Sequence, residues 1–205
     1  MGRSWLKSNL ALGACALVFP LAAAAQVEKY VIDQYHTVPY FETDHLGFAT
    51  MRGRFDRATG NFSIDRGAKT GTLEVVIQTA SVSTGDTERG ERPRTRDEHL
   101  RNPDFFNSAE FPTMTFRSTA VRFKGDDVAS VEGNLTLLGV TKPLTLNVVR
   151  WKCGPDMRTK GARYQCGGNA TGAFKRSDFG MKFGLPVAVG DEVSLWMSFY
   201  GFRQQ

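Results

Sequence analysis

Residues 96–116 read RDEHLRNPDFFNSAEFPTMTF, and residues 133–144 read GNLTLLGVTKPL. The first stretch opens with a small apolar group, His99-Leu100 and Phe105-Phe106, broken by Pro103. Proline removes a backbone donor from a helix interior. The spacing therefore predicts a brief helical turn that caps something, not a long helix. From Thr113 to Ser118, Met114 and Phe116 alternate with Thr115 and Arg117, which is the period of a strand. Gly133 to Leu138 alternates again, and Gly139-Val140-Thr141-Lys142-Pro143 reads as a turn.

The same period continues outward in both directions. Lys29–Asp33, Thr37–Asp44 and Thr50–Phe55 read as strands, as do the alternating runs around Leu73-Val75-Ile77 and Leu144-Leu146-Val148. Near the C-terminus Val193, Leu195, Met197 and Phe199 alternate with Ser194 and Ser198. Turn residues separate the runs, among them Thr59-Gly60-Asn61, Gly125-Asp126, Gly154-Pro155 and Gly190-Asp191. The best case for helical turns lies within Glu88–Asn107, interrupted by Pro93 and Pro103. Many short strands without a long helix predict an all-β antiparallel sandwich or barrel. Periodicity does not say whether the apolar face is solid core or lines a cavity, because about eight strands can enclose one ligand.

The N-terminus reads as a Sec-type signal peptide over residues 1–25. Arg3 and Lys7 precede an apolar run from Leu10 to Leu21, and Ala23-Ala24-Ala25 offers a cleavage site before Gln26. That run is short for a membrane span. One domain, 26–205, is then expected, with export as its destination. Loss of Arg3 and Lys7 takes the formal charge from +5 to +3, too mild and too dispersed for a nucleic-acid footprint. Cys153 and Cys166 remain as a pair, and an exported chain with one pair of cysteines predicts a disulfide.

No catalytic signature stands out. The chain has no G-x-S-x-G elbow, no phosphate loop and no G-x-G-x-x-G. His36, His45 and His99 lack metal-ligand spacing and read as structural hydrogen-bonding groups. Arg176-Ser177-Asp178 reads as a turn whose polar side chains bond backbone groups.

An ordered set of motifs carries a family resemblance. Tyr30-Val31-Ile32-Asp33, His36-Thr37, Phe41 and His45-Leu46-Gly47 come first, then Gly53, Phe55 and Gly60. Ala80-Ser81-Val82-Ser83-Thr84, HLRNPDFFN (99–107), FPTMTFRST (111–119), GNLTLLGVTKPLTL (133–146) and Arg176-Ser177-Asp178-Phe179-Gly180 complete it. Over nearly the whole expected mature chain the sequence resembles the YceI-like family of bacterial polyisoprenoid-binding proteins. The resemblance implies a single lipocalin-like antiparallel β-barrel of about eight strands, with short helical turns near the mouth. It implies a periplasmic, non-enzymatic carrier holding an isoprenoid chain, a quinone tail such as that of ubiquinone, or a fatty-acyl-like amphiphile. No resident cofactor and no stable membrane insertion are expected, and a homodimer is left open. A quinone-linked redox accessory and a stress or interaction protein without a ligand are the rival readings. Two departures stand out: extra residues between Thr84 and His99, and the Cys153–Cys166 segment.

A polyprenyl tail makes no hydrogen-bond demand, so inward apolar positions would supply its affinity. By alternation these are Phe41, Leu73, Val75, Ile77, Phe116, Leu135, Leu137 and Trp196, with Phe105 and Phe106 as a lid. A polar head would meet Arg101 or Arg176 near the mouth.

Overall fold

In the computed structural model, residues 1–2 and 27–204 are described. The signal-peptide reading falls almost entirely outside them. The strands are β1 Glu28–Ile32, β2 Val38–His45, β3 Ala49–Phe55, β4 Ala58–Asp65, β5 Thr70–Gln78 and β6 Val82–Ser83. After helix α1, Arg96–Leu100, come β7 Thr113–Lys124, β8 Asp127–Leu137, β9 Val140–Pro155, β10 Tyr164–Lys175 and β11 Glu192–Arg203. All pairings are antiparallel.

Hydrogen bonding runs β1-β4-β5-β7-β8-β9-β10-β11 and closes from β11 back to β1, an eight-strand barrel. Three of the eight wall positions are broken in two. One edge of β11 pairs with β1 at Gly201–Arg203 and with β2 at Ser194–Ser198, so β1 and β2 lie end to end. The pairings of β3 with β2, and of β4 with β1, repeat the break, and β5 and β6 repeat it once more. The lower half is fully closed. In the upper half no pairing joins β6 to β7 among the described residues, and the chain between them, 84–112, fills that side.

Connectivity sorts the loops between two ends. The β2–β3 hairpin, segment 84–112, the β8–β9 turn and loop 176–191 stand at the top. The β4–β5, β7–β8 and β9–β10 connections stand at the bottom.

Three expected turns are placed differently by the structure. Thr59-Gly60-Asn61 is inside β4, where each residue pairs with β5. Gly60 is required there by close approach, because an added Cβ would lie 2.0 Å from the Glu74 carbonyl oxygen. The turn expected over Gly139–Pro143 is confined to Leu138-Gly139, both at positive φ, and Val140 already pairs with Leu137. Gly154-Pro155 likewise belongs to β9, and the chain turns after it. Strand β10 is absent from the sequence reading because Gly167-Gly168-Asn169 imitates a loop. An added Cβ at Gly168 would come within 1.9 Å of the Arg150 carbonyl oxygen, so glycine permits this pairing.

Large rings sit over glycines. Phe41 covers Gly53 on the neighbouring strand, Phe116 covers Gly133, and Phe62 covers Gly201, each within contact of where a Cβ would stand. Tyr30 stacks on Phe62 at 4.6 Å and with Ile32, Ile64 and Cys166 forms a buried layer at the bottom. Cys153 and Cys166 are directly opposite each other in the β9–β10 ladder and are disulfide-bonded, as expected.

Candidate functional site

The barrel encloses a cavity of about 370 Å³ whose wall is overwhelmingly aliphatic and aromatic. Period two delivers the wall. Leu73, Val75 and Ile77 face it from β5, Met114 and Phe116 from β7, Leu135 and Leu137 from β8, and Leu144 and Leu146 from β9. Nine of the ten positions singled out from the sequence line it: Phe41, Leu73, Val75, Ile77, Phe105, Phe106, Phe116, Leu135 and Leu137.

Trp196 does not. It is 45% exposed on the outer face, where Tyr40 is its cross-strand partner. Strand alternation is the reason: Val193, Leu195, Met197 and Phe199 hold the inner face of β11, so Trp196, between two of them, must point out. Those four residues, with Phe55, Phe174 and Met181, are wall residues that the sequence candidates omit. The same alternation contains the signal for the β11 set. Phe174 is hidden in the glycine-rich β10.

The top of the cavity is closed by rings from the 84–112 segment. Phe106 packs edge-on against Phe55 at 5.2 Å and against Phe41 at 6.2 Å. Phe105, His99 and Phe183 form a second trio, with centroids 4.9 to 5.4 Å apart. Phe105 and Phe106 thus both lie at the top of the cavity.

Local sequence fixes this segment in place. Thr95 and Glu98 form a reciprocal capping box: Glu98 N–H donates to Thr95 Oγ1 at 3.1 Å, and Thr95 N–H donates to Glu98 Oε2 at 2.8 Å. Thr84 donates its N–H and hydroxyl to Asp97 Oδ1 at 2.8 and 2.6 Å, tying α1 to the end of β6. Arg101 donates to the carbonyls of Ala80 and Val82, each at 2.8 Å. Arg101 is thus a structural tie and is absent from the cavity wall. His99 Nε2 is 2.8 Å from Asp104 Oδ2, and His36 Nδ1 is 2.6 Å from Asp33 Oδ2. His45 also borders the cavity.

Arg176 is the one buried cation at the wall among the described residues. Its guanidinium donates to the carbonyls of Gly190, Met181 and Val189 at 2.7, 3.1 and 2.7 Å. Burial pushes its pKa down, and the Asp191 charge opposes this. Asp191 itself accepts from Ser177 N–H and Oγ, which hold its carboxyl below the ordinary range. Arginine stays protonated in proteins, so a positive charge stands at the upper wall.

No group of three or more His, Cys, Asp or Glu able to hold a metal exists among the described residues. None of their helices is long and apolar enough to cross a membrane.

An antiparallel barrel closed around one apolar cavity defines a lipocalin-like class of fold. Comparison with known proteins narrows it. The family model described as "YceI-like domain" matches residues 30–200, and the chain belongs to that family. A UPF0312 protein of Pseudomonas aeruginosa is 37% identical over 97% of this chain and 100% of its own length. A Shewanella baltica UPF0312 protein is 38% identical over 87% and 88%. Among solved structures, Burkholderia cenocepacia BcnA matches with a TM-score of 0.66 and 21% identity, covering 82% of this chain and 98% of BcnA. A polyisoprenoid binding domain from Saccharophagus degradans matches at 0.61 and 18%, covering 85% and 98%. At those identities the structural matches speak to fold alone.

Proposed function

We propose that this protein is a periplasmic carrier that buries the tail of an isoprenoid lipid, a polyprenyl chain or quinone, in its barrel and catalyses no reaction on it. One observation carries the reading: a cavity inside the barrel whose wall surface is overwhelmingly aliphatic and aromatic. A hydrocarbon tail gains affinity from burial alone, at roughly 25 cal/mol per Å² of apolar surface. The name borne by the Saccharophagus degradans domain supports an isoprenoid over other tails. Phe41, Leu73, Val75, Ile77, Phe116, Leu135 and Leu137 would grip the tail, and Phe105 and Phe106 would cover it. Arg176 would face a phosphate or quinone oxygen at the upper end, since no carboxylate pairs with its guanidinium. The ligand is cargo, with no resident cofactor required.

Native protein taken from the periplasm and extracted into organic solvent tests the reading by mass spectrometry. A stoichiometric isoprenoid or quinone is the expected result. An empty extract, together with no affinity for added polyprenols and quinones, overturns it.

A further inference from the structure

The top of the barrel presents apolar side chains that its own packing does not use. The β2–β3 hairpin turns through Leu46-Gly47 with φ of 59° and 70°. Such a turn favours Asn-Gly, and leucine is disfavoured in the left-handed region. Yet Leu46 is half-exposed, and Phe48 beside it is 92% exposed. Across from this hairpin, loop 176–191 carries Val187, 72% exposed, and the half-exposed Phe183. The two loops are one unit, because Leu46 N–H donates to the Ala188 carbonyl at 3.2 Å and Gly190 N–H to the Asp44 carbonyl at 2.9 Å.

Phe183 joins this rim to the interior. Its ring contacts His99 and Phe105, and all three border the cavity. Phe183 therefore belongs both to the exposed rim and to the cavity wall. Several charges at the same end are paired, Arg52 with Glu42, Arg92 with Asp86, Arg89 with Glu98 and Arg94 with Asp104, while Lys182 beside Phe183 is an exposed cation.

We propose that this rim docks on a lipid bilayer, placing Leu46, Phe48, Phe183 and Val187 among the acyl chains so that the cavity mouth opens onto hydrocarbon. Separate projecting tips suit a fluid phase, which moulds to any convex shape, whereas a protein partner would need matching pockets. Scattered exposed apolar residues are ordinary; four on two hydrogen-bonded loops at one end, one of them also lining an apolar cavity, mark an interaction site. The purpose assigned to the docking rests on the carrier reading, since a tail could then pass between membrane and barrel without crossing water. The docking itself is measured independently.

Full-length mature protein is floated with phosphatidylcholine vesicles, with and without phosphatidylglycerol. Phe48→Ser, Val187→Ser and the double variant are compared, with near-UV circular dichroism confirming the fold. Each buried apolar side chain is worth about tenfold to hundredfold in partitioning. The unaltered protein is expected to float and the double variant to lose at least about a hundredfold in affinity. Because the four docking side chains carry no charge, added phosphatidylglycerol or salt should change binding by less than about threefold. Failure of the unaltered protein to float, flotation unaltered in the double variant, or binding abolished by salt overturns the proposal. A dimer in lipid-free solution that the variants convert to monomer, without flotation, reassigns the rim to a second copy. Binding of added polyprenol in solution separates the two readings. A double variant that binds polyprenol but does not float leaves the carrier reading intact. Flotation by a protein that binds no polyprenol retains docking and removes the carrier.

Discussion

Tyr30 shows how much one residue carries at the bottom of the barrel. Its side chain has no exposed surface, stacks on Phe62 and donates to Glu28 Oε2 at 2.9 Å. Burial, and then the neighbouring Glu28 carboxylate, push its phenol up from 10.0 to about 12. A raised phenol pKa means that the folded state resists losing this proton. The stability it supports is complete below the unfolded value near 10 and is lost as pH rises toward 12. In an absorbance titration at alkaline pH, a late step near pH 12 is expected from Tyr30. Its ionisation should coincide with unfolding, and Tyr30→Phe should abolish the late step. Residue-scale features of this kind were only partly legible in the sequence. Tyr30 stood in a recognised motif, yet its burial depends on β11 and β4 arriving on either side of β1. Trp196 is misassigned although alternation was the argument used: Val193, Leu195, Met197 and Phe199 take the inner face of β11, and the same period leaves Trp196 on the outer one.

At the scale of elements, strand period was a sound guide wherever side chains were large and a poor one wherever glycine allowed strands to approach. Strand β4 contains a turn-like Thr59-Gly60-Asn61 and β10 escapes the sequence reading, because Gly60, Gly167 and Gly168 look the same in a strand or a loop. Only the backbone of a distant strand, Glu74 or Arg150, tells them apart. The disulfide staples β9 to β10 in this region. Its loop spans fourteen residues counting both ends, so reduction or the Cys153→Ser/Cys166→Ser variant should cost about 3 kcal/mol by loop entropy. Urea denaturation of both forms measures this; equal midpoints would contradict it. The 84–98 segment answers instead to acid. Asp86 is held well below the ordinary carboxylate range, first by Arg92 and then by the Arg96 N–H. Glu98 is held down by the Thr95 N–H and then by Arg89. Depressed values mean that the loop keeps its full contribution above the ordinary range near pH 4 and loses it as pH falls further. Amide exchange at Thr95 and Arg96 should accelerate below that range while the barrel strands stay protected.

The whole molecule joins a fully paired lower half to an upper half with an unpaired side covered by the α1 segment. The all-β class and an antiparallel barrel of about eight strands followed from sequence pattern and family resemblance. The cavity did not follow from pattern, since an inward leucine looks the same whether it meets another leucine or a void. Enclosure is a property of all eight strands together. A bound tail stabilises the folded state by mass action, about 2.7 kcal/mol at a hundredfold excess over Kd. Stripping the ligand by organic extraction and refolding should therefore lower Tm by about 5–10 °C for a chain of this size, and added polyprenol should restore it. An unchanged Tm after verified stripping would count against burial of a ligand.

The layer of Tyr30, Phe62 and Ile64 beneath the cavity makes the barrel a blind tube, and a blind tube is a ruler. A passage open at both ends would accept a tail of any length and let the excess thread through. On the carrier reading proposed above, each added isoprene unit would gain contact only until the terminal methyl groups reached Phe62. Further units would have to wait outside. Affinity plotted against chain length should climb and then level off, and the break point would report the depth of the barrel in units of isoprene. Truncating the stop with Phe62→Ala would move that break to a longer chain.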